Sequence, residues 1–115
     1  MIKLTKGDIM DKERKQEILT KKSEILKIIA HPMRLCILNC LIESTCNVTT
    51  LVNAMNVPQS TVSQHLSKLR TAGIIVGTRN GLEINYKVVN TDVVKIIKMF
   101  VHDDIETLHL HNNIG

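Results

Sequence analysis

Apolar and polar positions repeat with two different periods along the chain, and the change between them divides it. Over residues 12–30, Ile18, Leu19, Ile25, Leu26, Ile28 and Ile29 share one helical face while Lys, Glu and Arg fill the rest, which predicts an amphipathic helix. His31-Pro32 stops it, because proline pushes the residue before it out of the helical region. Residues 33–42 are apolar on nearly every side, the pattern of a helix buried at the centre of a small domain. Glu43-Ser44-Thr45-Cys46-Asn47 breaks that run, and Asn47 or Thr49 can cap a short helix carrying Val48, Leu51, Val52 and Met55. Asn56-Val57-Pro58 then turns the chain into a helix that ends at Gly73, a C-cap residue. In this fourth helix Val62, Leu66 and Leu69 form one narrow stripe, and Ser60, Gln64, Ser67, Lys68 and Thr71 lie opposite. Past Gly73 the period drops to two. Residues 74–79 and 82–88 read as strands joined by Asn80-Gly81, a strong hairpin signal. Asn90 or Thr91 caps a last helix with Asp92 in its first turn. Its apolar positions Val93, Ile96, Ile97, Phe100, Val101, Ile105 and Leu108 exceed what one face of a small domain needs, so the first and last helices together predict a seam with a partner subunit.

A short helix, a tight turn, a polar-faced helix and then a β-hairpin make a mainly α fold with a β-hairpin wing, a winged helix-turn-helix. The expected order is four helices, two strands and a fifth helix, filling one domain over residues 12–110. Residues 1–11 lack a clear period and are expected to be a flexible arm, and residues 111–115 a frayed tail. The outer face of the fourth helix is rich in small hydroxyls and amides where a solvated helix usually carries Glu and Lys pairs. Gln suits a bidentate contact with adenine, Ser and Thr suit donor or acceptor base edges, and Lys68 and Arg70 suit phosphates. A plain polar helix would look similar; the hairpin directly after it moves the reading toward DNA, with Arg79 near its tip placed for a sugar-phosphate strand.

Charge adds a direction. The 115 residues carry a formal net charge of +4. Residues 1–35 hold nine Lys/Arg against five Asp/Glu, and residues 91–115 hold two against four, so the acidic end is expected to face away from DNA. Tyr86 and Phe100 are the only aromatics, which argues against RNA-recognition sheets and single-strand barrels that stack bases on aromatic platforms. The three cysteines, Cys36, Cys40 and Cys46, form no Cys-x-x-Cys, and reduced thiols in a cytoplasmic protein are the expectation, with no membrane-spanning or targeting segment in view. No Gly-rich phosphate loop, Ser-centred elbow, His-Glu-x-x-His or paired carboxylates on rigid elements support an enzyme. The competing class is a winged-helix protein-interaction module that no longer binds DNA.

Three motifs, in order and with the right gaps, resemble the ArsR/SmtB family of small bacterial winged-helix repressors. Residues 29–38, Ile-Ala-His-Pro-Met-Arg-Leu-Cys-Ile-Leu, look like the family's LA-x-P-x-R-L-x-IL, and residues 60–69 look like its S-x-x-S-x-H-L-x-x-L. The hairpin from Gly77 to Tyr86 is similar to its R-x-G-x-x-x-x-Y. The resemblance implies a homodimer joined through its first and last helices that binds double-stranded DNA at a palindromic operator and leaves it when an inducer binds. It also implies DNA contacts from Gln59, Ser60, Thr61, Ser63 and Gln64, beside Ser67, Lys68, Arg70 and Arg79.

Members of that family commonly sense a metal at one of two places. The first needs Cys-x-Cys at the start of the helix before the recognition helix, where Asn47 and Thr49 stand here and Cys46 is one position off. The second resembles Asp-x-His followed by a later pair on the last helix, where this chain has Asp92-Val93-Val94 and then Ile105 and Leu108. What remains is His102, Glu106 and His109 on one stripe, with His111, Asp103 and Asp104 nearby: a set suited to a divalent transition metal such as zinc, nickel or cobalt, or simply a solvated helix end. For a thiol switch, Cys36 and Cys40 at i and i+4 stand too far apart for an unstrained disulfide, whereas Cys40 and Cys46 are separated by one loop and could pair. Free cysteines are among the most buried residues, so inert core packing is the first reading of the same three, and a small organic inducer, or none, stays open.

Overall fold

The structure, a computed structural model, describes residues 3 and 5–114, the side chains of 109 and 111–114 excepted. The elements in chain order are α1 (Lys6–Ile29), α2 (Pro32–Glu43), α3 (Val48–Met55), α4 (Gln59–Thr71), β1 (Ile75–Asn80), β2 (Glu83–Val88), α5 (Thr91–Ile97), a π-helical turn (Lys98–His102) and α6 (Asp103–Ile114). This is the winged helix-turn-helix that the periods predict.

Helix α1 begins earlier than the hydrophobic period places it, at Lys6. The reason is a capping box: the Thr5 hydroxyl accepts the Asp8 N–H at 3.1 Å, and the Asp8 carboxylate accepts the Thr5 N–H at 3.1 Å. Those bonds hold the Asp8 carboxyl below its ordinary value. At the far end α6 extends through residue 114.

Helix α2 is the centre of the domain. His31 does more than stop α1, because its Nδ1 accepts the Met33 N–H at 3.1 Å and so caps α2, with Pro32 in the first turn where its missing N–H costs nothing. Ile37, Leu38 and Leu41 point into the core with Ile29, Leu51, Val62, Leu66, Leu69, Ile74, Ile75, Val93 and Ile97. Two positions depart from the all-apolar pattern, Cys36 being exposed and Asn39 being a buried polar residue.

Asn47 caps α3, its side chain accepting the Thr50 N–H at 2.9 Å, and Asn56 ends it in the left-handed region at φ 54°. Helix α4 closes with a Schellman motif: the Ile74 N–H donates to the Leu69 carbonyl at 3.0 Å and the Gly73 N–H to the Arg70 carbonyl at 2.9 Å, with Gly73 at φ 75°. Ile74 and Leu69 are both fully buried, so the cap also aims the chain into the wing.

The wing pairs β1 and β2 antiparallel, Ile75 opposite Val88 and Asn80 opposite Glu83. Its two-residue turn is therefore Gly81-Leu82, one position later than the Asn80-Gly81 reading. Gly81 alone has positive φ, at 68°, which is the form that takes glycine first. The base is tied to the domain by the Tyr86 N–H, which donates to the Cys46 carbonyl at 2.9 Å. Gly77 makes room for this arrangement, since a Cβ there would stand 2.7 Å from Ile84 Cγ2 and 3.0 Å from Tyr86 Cε1.

The last rod, α5 through α6, is helical without interruption, and among its described side chains only Val93 and Ile97 are fully buried. Met99, Phe100, Leu108 and Leu110 are exposed, as are Ile18, Leu19 and Leu26 of α1. Among the described residues no single helix is long and apolar enough to cross a membrane.

Candidate nucleic-acid interface

Val62, Leu66 and Leu69 fix α4 by its inner face at 0–3% exposure, leaving the opposite face free. Gln59, Ser60, Ser63, Gln64, Ser67, Lys68 and Arg70 are exposed and Thr61 is half-buried. Among the described residues, the only α4 side chain that hydrogen-bonds within the chain is His65, so the amides and hydroxyls of the outer face are unengaged. The helix starts at Pro58 with no side-chain cap and no acid in its first turn. The Thr61 and Val62 N–H groups donate to the Pro58 carbonyl, while those of Gln59 and Ser60 have no acceptor among the described residues. A helix start with free N–H groups and no carboxylate suits an anion such as a phosphate. By contrast, α1 and α5 carry Asp8 and Asp92 in their first turns.

Behind the helix stands a polar brace. The Arg34 guanidinium on α2 donates through Nε to the Ile28 carbonyl at the end of α1, and through Nη1 to His65 Nδ1 at 3.2 Å. Arginine can only donate, so Nδ1 is the accepting nitrogen of a neutral His65. The ring of His65 lies against His31 with centroids 4.6 Å apart. Burial first, then the neighbouring His31, Arg34 and Lys68, hold the His65 pKa below its ordinary value, which keeps the accepting form. His31, Arg34 and His65 thus tie α1, α2 and α4 together at the back of the outer face.

Arg79 is exposed one residue pair from the wing tip, opposite Ile84 and on the sheet side that also holds Ile75 and Tyr86. Lys68 and Arg70 occupy the last turn of α4, where cations also favour the helix dipole.

The sensor candidates separate. Cys40 is half-buried and its thiol is pushed up to about 11, by burial first and then by the neighbouring Cys36 and Cys46. Burial and the Glu43 charge raise Cys46 too, so neither thiol offers much thiolate near neutrality. All three cysteines are free. His102 and Glu106 do come together, Nε2 to Oε1 at 3.8 Å, and the structure adds two residues that the sequence reading missed. Glu43 places Oε1 3.6 Å from His102 Nδ1, and Asn39 Oδ1 lies 3.0 Å from the same nitrogen. Glu43 reads along the chain as part of a helix break, yet it belongs to the last turn of α2. The side chains of His109 and His111 lie outside the described residues.

Residues 31–76 match the family described as "Bacterial regulatory protein, arsR family". The chain is similar to the transcriptional repressor PagR of Bacillus anthracis, 46% identical over 82 residues, which span 70% of this chain and 82% of PagR. It is 40% identical over 82 residues to the HTH-type transcriptional repressor SmtB of Mycobacterium tuberculosis, covering 71% of this chain and 61% of that protein. The crystal structure of PagR superposes with a TM-score of 0.68 at 45% identity, covering 73% of this chain and 97% of that one. Reduced HlyU of Vibrio cholerae gives a TM-score of 0.72 at 28% identity, covering 76% and 92%.

Proposed function

Because the chain belongs to the ArsR family of bacterial regulatory proteins, whose relatives above are transcriptional repressors, we propose that it works as a homodimer on a palindromic operator in the cytoplasm and leaves that operator when an inducer binds. The carrying observation is α4 itself, locked on its apolar side, unengaged on its amide and hydroxyl side, and open at its N-terminus. Gln59, Ser60, Thr61, Ser63, Gln64 and Ser67 face base edges and the nearby backbone in the major groove, and Lys68, Arg70 and Arg79 meet phosphates. Two-fold symmetry sets the paired α4 helices ~34 Å apart, one turn of duplex.

The seam runs through α1 and the last rod. Support comes from the exposed Ile18, Leu19 and Leu26 on one and Met99, Phe100 and Leu108 on the other, a surplus that a second copy would cover. The inducer is a metal ion, a thiol-reactive species or another small ligand.

The test is a footprinting titration on the DNA upstream of the protein's own coding region, in rising salt, beside sedimentation of the free protein. A two-half-site footprint from a dimer, with affinity falling as a log–log function of salt, is the expected result. A monomer without a footprint, associating with a protein partner independently of salt, would overturn the reading in favour of an interaction module. Repeating the footprint with zinc, nickel, arsenite and an oxidant identifies the inducer class by the additive that clears it.

A further inference from the structure

We propose that Glu43, His102 and Glu106 are the ligands of a site for a divalent first-row transition ion, with Asn39 orienting the histidine. The site lies within one chain, between the last turn of α2 and the junction of the π-helical turn with α6. These positions are neither the Asn47 and Thr49 pair nor the set of Asp92, Val94, Ile105 and Leu108 considered above.

One ligand atom from each of the three residues lies within 4.8 Å of the other two. Donors bonded to one zinc at ~2.0–2.1 Å stand roughly 3.4 Å apart in a tetrahedral site, so side-chain rotation closes the remaining distance. The glutamates have that freedom, at 47% and 52% exposure, while His102 is held at 22%.

Two further features point to a ligand. Asn39 is 7% exposed, the one polar residue among the buried ones described, and its Oδ1 accepts the Nδ1–H of His102 at 3.0 Å. A histidine whose one nitrogen donates to a fixed oxygen offers the lone pair of the other, in the manner of metal-bound imidazoles; here that is Nε2, 3.8 Å from Glu106, while Glu43 stands 3.6 Å from Nδ1 and turns its half-exposed carboxylate toward the Nε2 side to join. The second feature is the π-helical turn, where the Asp103 N–H reaches back to the Lys98 carbonyl. Such a turn inserts a residue and re-aims the side chains after it, and it occurs frequently at functional sites. Here it carries His102 onto α2.

As ion pairs alone, contacts of 3.6 and 3.8 Å to half-exposed glutamates give His102 little. Around a divalent cation the same two carboxylates balance its charge, and the imidazole adds the nitrogen that zinc, cobalt and nickel favour. No thiolate takes part, and the remaining coordination positions go to water.

Isothermal titration of the full chain with zinc chloride, and the visible spectrum with cobalt chloride, test the proposal without DNA, so the outcome is independent of the repressor reading. Wild type is expected to bind one ion per chain, and zinc to raise its melting temperature. His102→Gln and Glu43→Gln/Glu106→Gln, checked for wild-type circular dichroism, are expected to weaken binding at least tenfold and to lose the thermal shift. Cys36→Ser/Cys40→Ser/Cys46→Ser and His109→Ala/His111→Ala are expected to keep both, with no thiolate-to-cobalt absorption. No ion binding by wild type, or binding that survives His102→Gln and disappears with the cysteine variant, would overturn it.

Discussion

Replacing Arg34 with alanine tests the brace behind α4. The side chain makes two directed bonds, to the Ile28 carbonyl and to His65 Nδ1. Ile28 is in the last turn of α1, so its carbonyl would otherwise lack an intrahelical partner, and the cation also complements the negative end of that helix. Hydrogen bonds from a charged donor contribute ~1.5–3 kcal/mol, and partial solvent access lowers each of these to or just below the bottom of that range, about 1–1.5 kcal/mol. Arg34→Ala should therefore cost about 2–3 kcal/mol, which lowers the melting temperature by ~8–12 °C in a domain of this size. Arg34→Lys keeps the charge but cannot reach both acceptors with a planar fork, and should lose about half as much. Urea titration at one fixed protein concentration is the assay, because association makes the midpoint concentration-dependent. A loss below about 0.5 kcal/mol for Arg34→Ala, or a lysine variant equal to wild type, would show that water replaces both bonds and that the brace holds nothing.

At the proposed interface, Gln64→Ala should weaken operator binding by ~1–3 kcal/mol and leave random-sequence DNA nearly unchanged in parallel gel-shift titrations, equal losses on both counting against base readout. Arg79→Ala should weaken both kinds of DNA alike and reduce the salt slope by about one unit; an unchanged slope would remove the wing from the phosphate backbone. The depressed His65 pKa means that the unfolded chain binds more protons than the folded one between that lowered value and the ordinary 6.5. Stability from this residue is therefore complete above the ordinary value and lost as pH falls through the window toward the lowered one. Urea midpoints at several pH values should show the loss in wild type and a smaller one in His65→Gln, and a wild-type midpoint rising with acid would refute the assignment.

The parts of this fold legible in the sequence are those set by local period and by neighbours along the chain. Val62, Leu66 and Leu69 lie on one helical stripe, and all three are buried as that spacing requires. Asn47 caps α3 because a short acceptor just before an apolar run has an N–H within reach. The errors are local too, and each has a cause. Thr5 and Asp8 form a capping box ahead of any hydrophobic period, so α1 starts before a periodicity argument can see it. The hairpin turn slips by one because Asn-Gly and Gly-Leu both supply a glycine, and strand register decides which pair sits at the corner. The cluster around His102 was legible only by half. Glu106 is one helical turn away, whereas Asn39 is 63 positions distant and meets His102 through the packing of α2 on the last rod and the π-helical turn.

The surplus apolar surface and the brace bear on each other. Only Ile29 of α1 is fully buried, although the helix runs for 24 residues. Isolated helices are marginal in water, and one that displays Ile18, Leu19 and Leu26 gains its stability from whatever covers that face. In the proposed dimer that cover is the partner, and α1 becomes the element through which one subunit feels the other. Two polar contacts then carry position inward from the seam. Lys22 bonds Asp92 at the start of α5, and the Ile28 carbonyl accepts from Arg34, which also holds His65 of α4. In that dimer a shift of α1 against its partner would pass to α4 through Arg34 and to the last rod through Asp92, and with it the spacing of the paired α4 helices would change. In that proposed dimer an inducer need not touch the outer face of α4: a ligand that moves the last rod against α2, as an ion at the proposed Glu43, His102 and Glu106 site would, acts on the same frame.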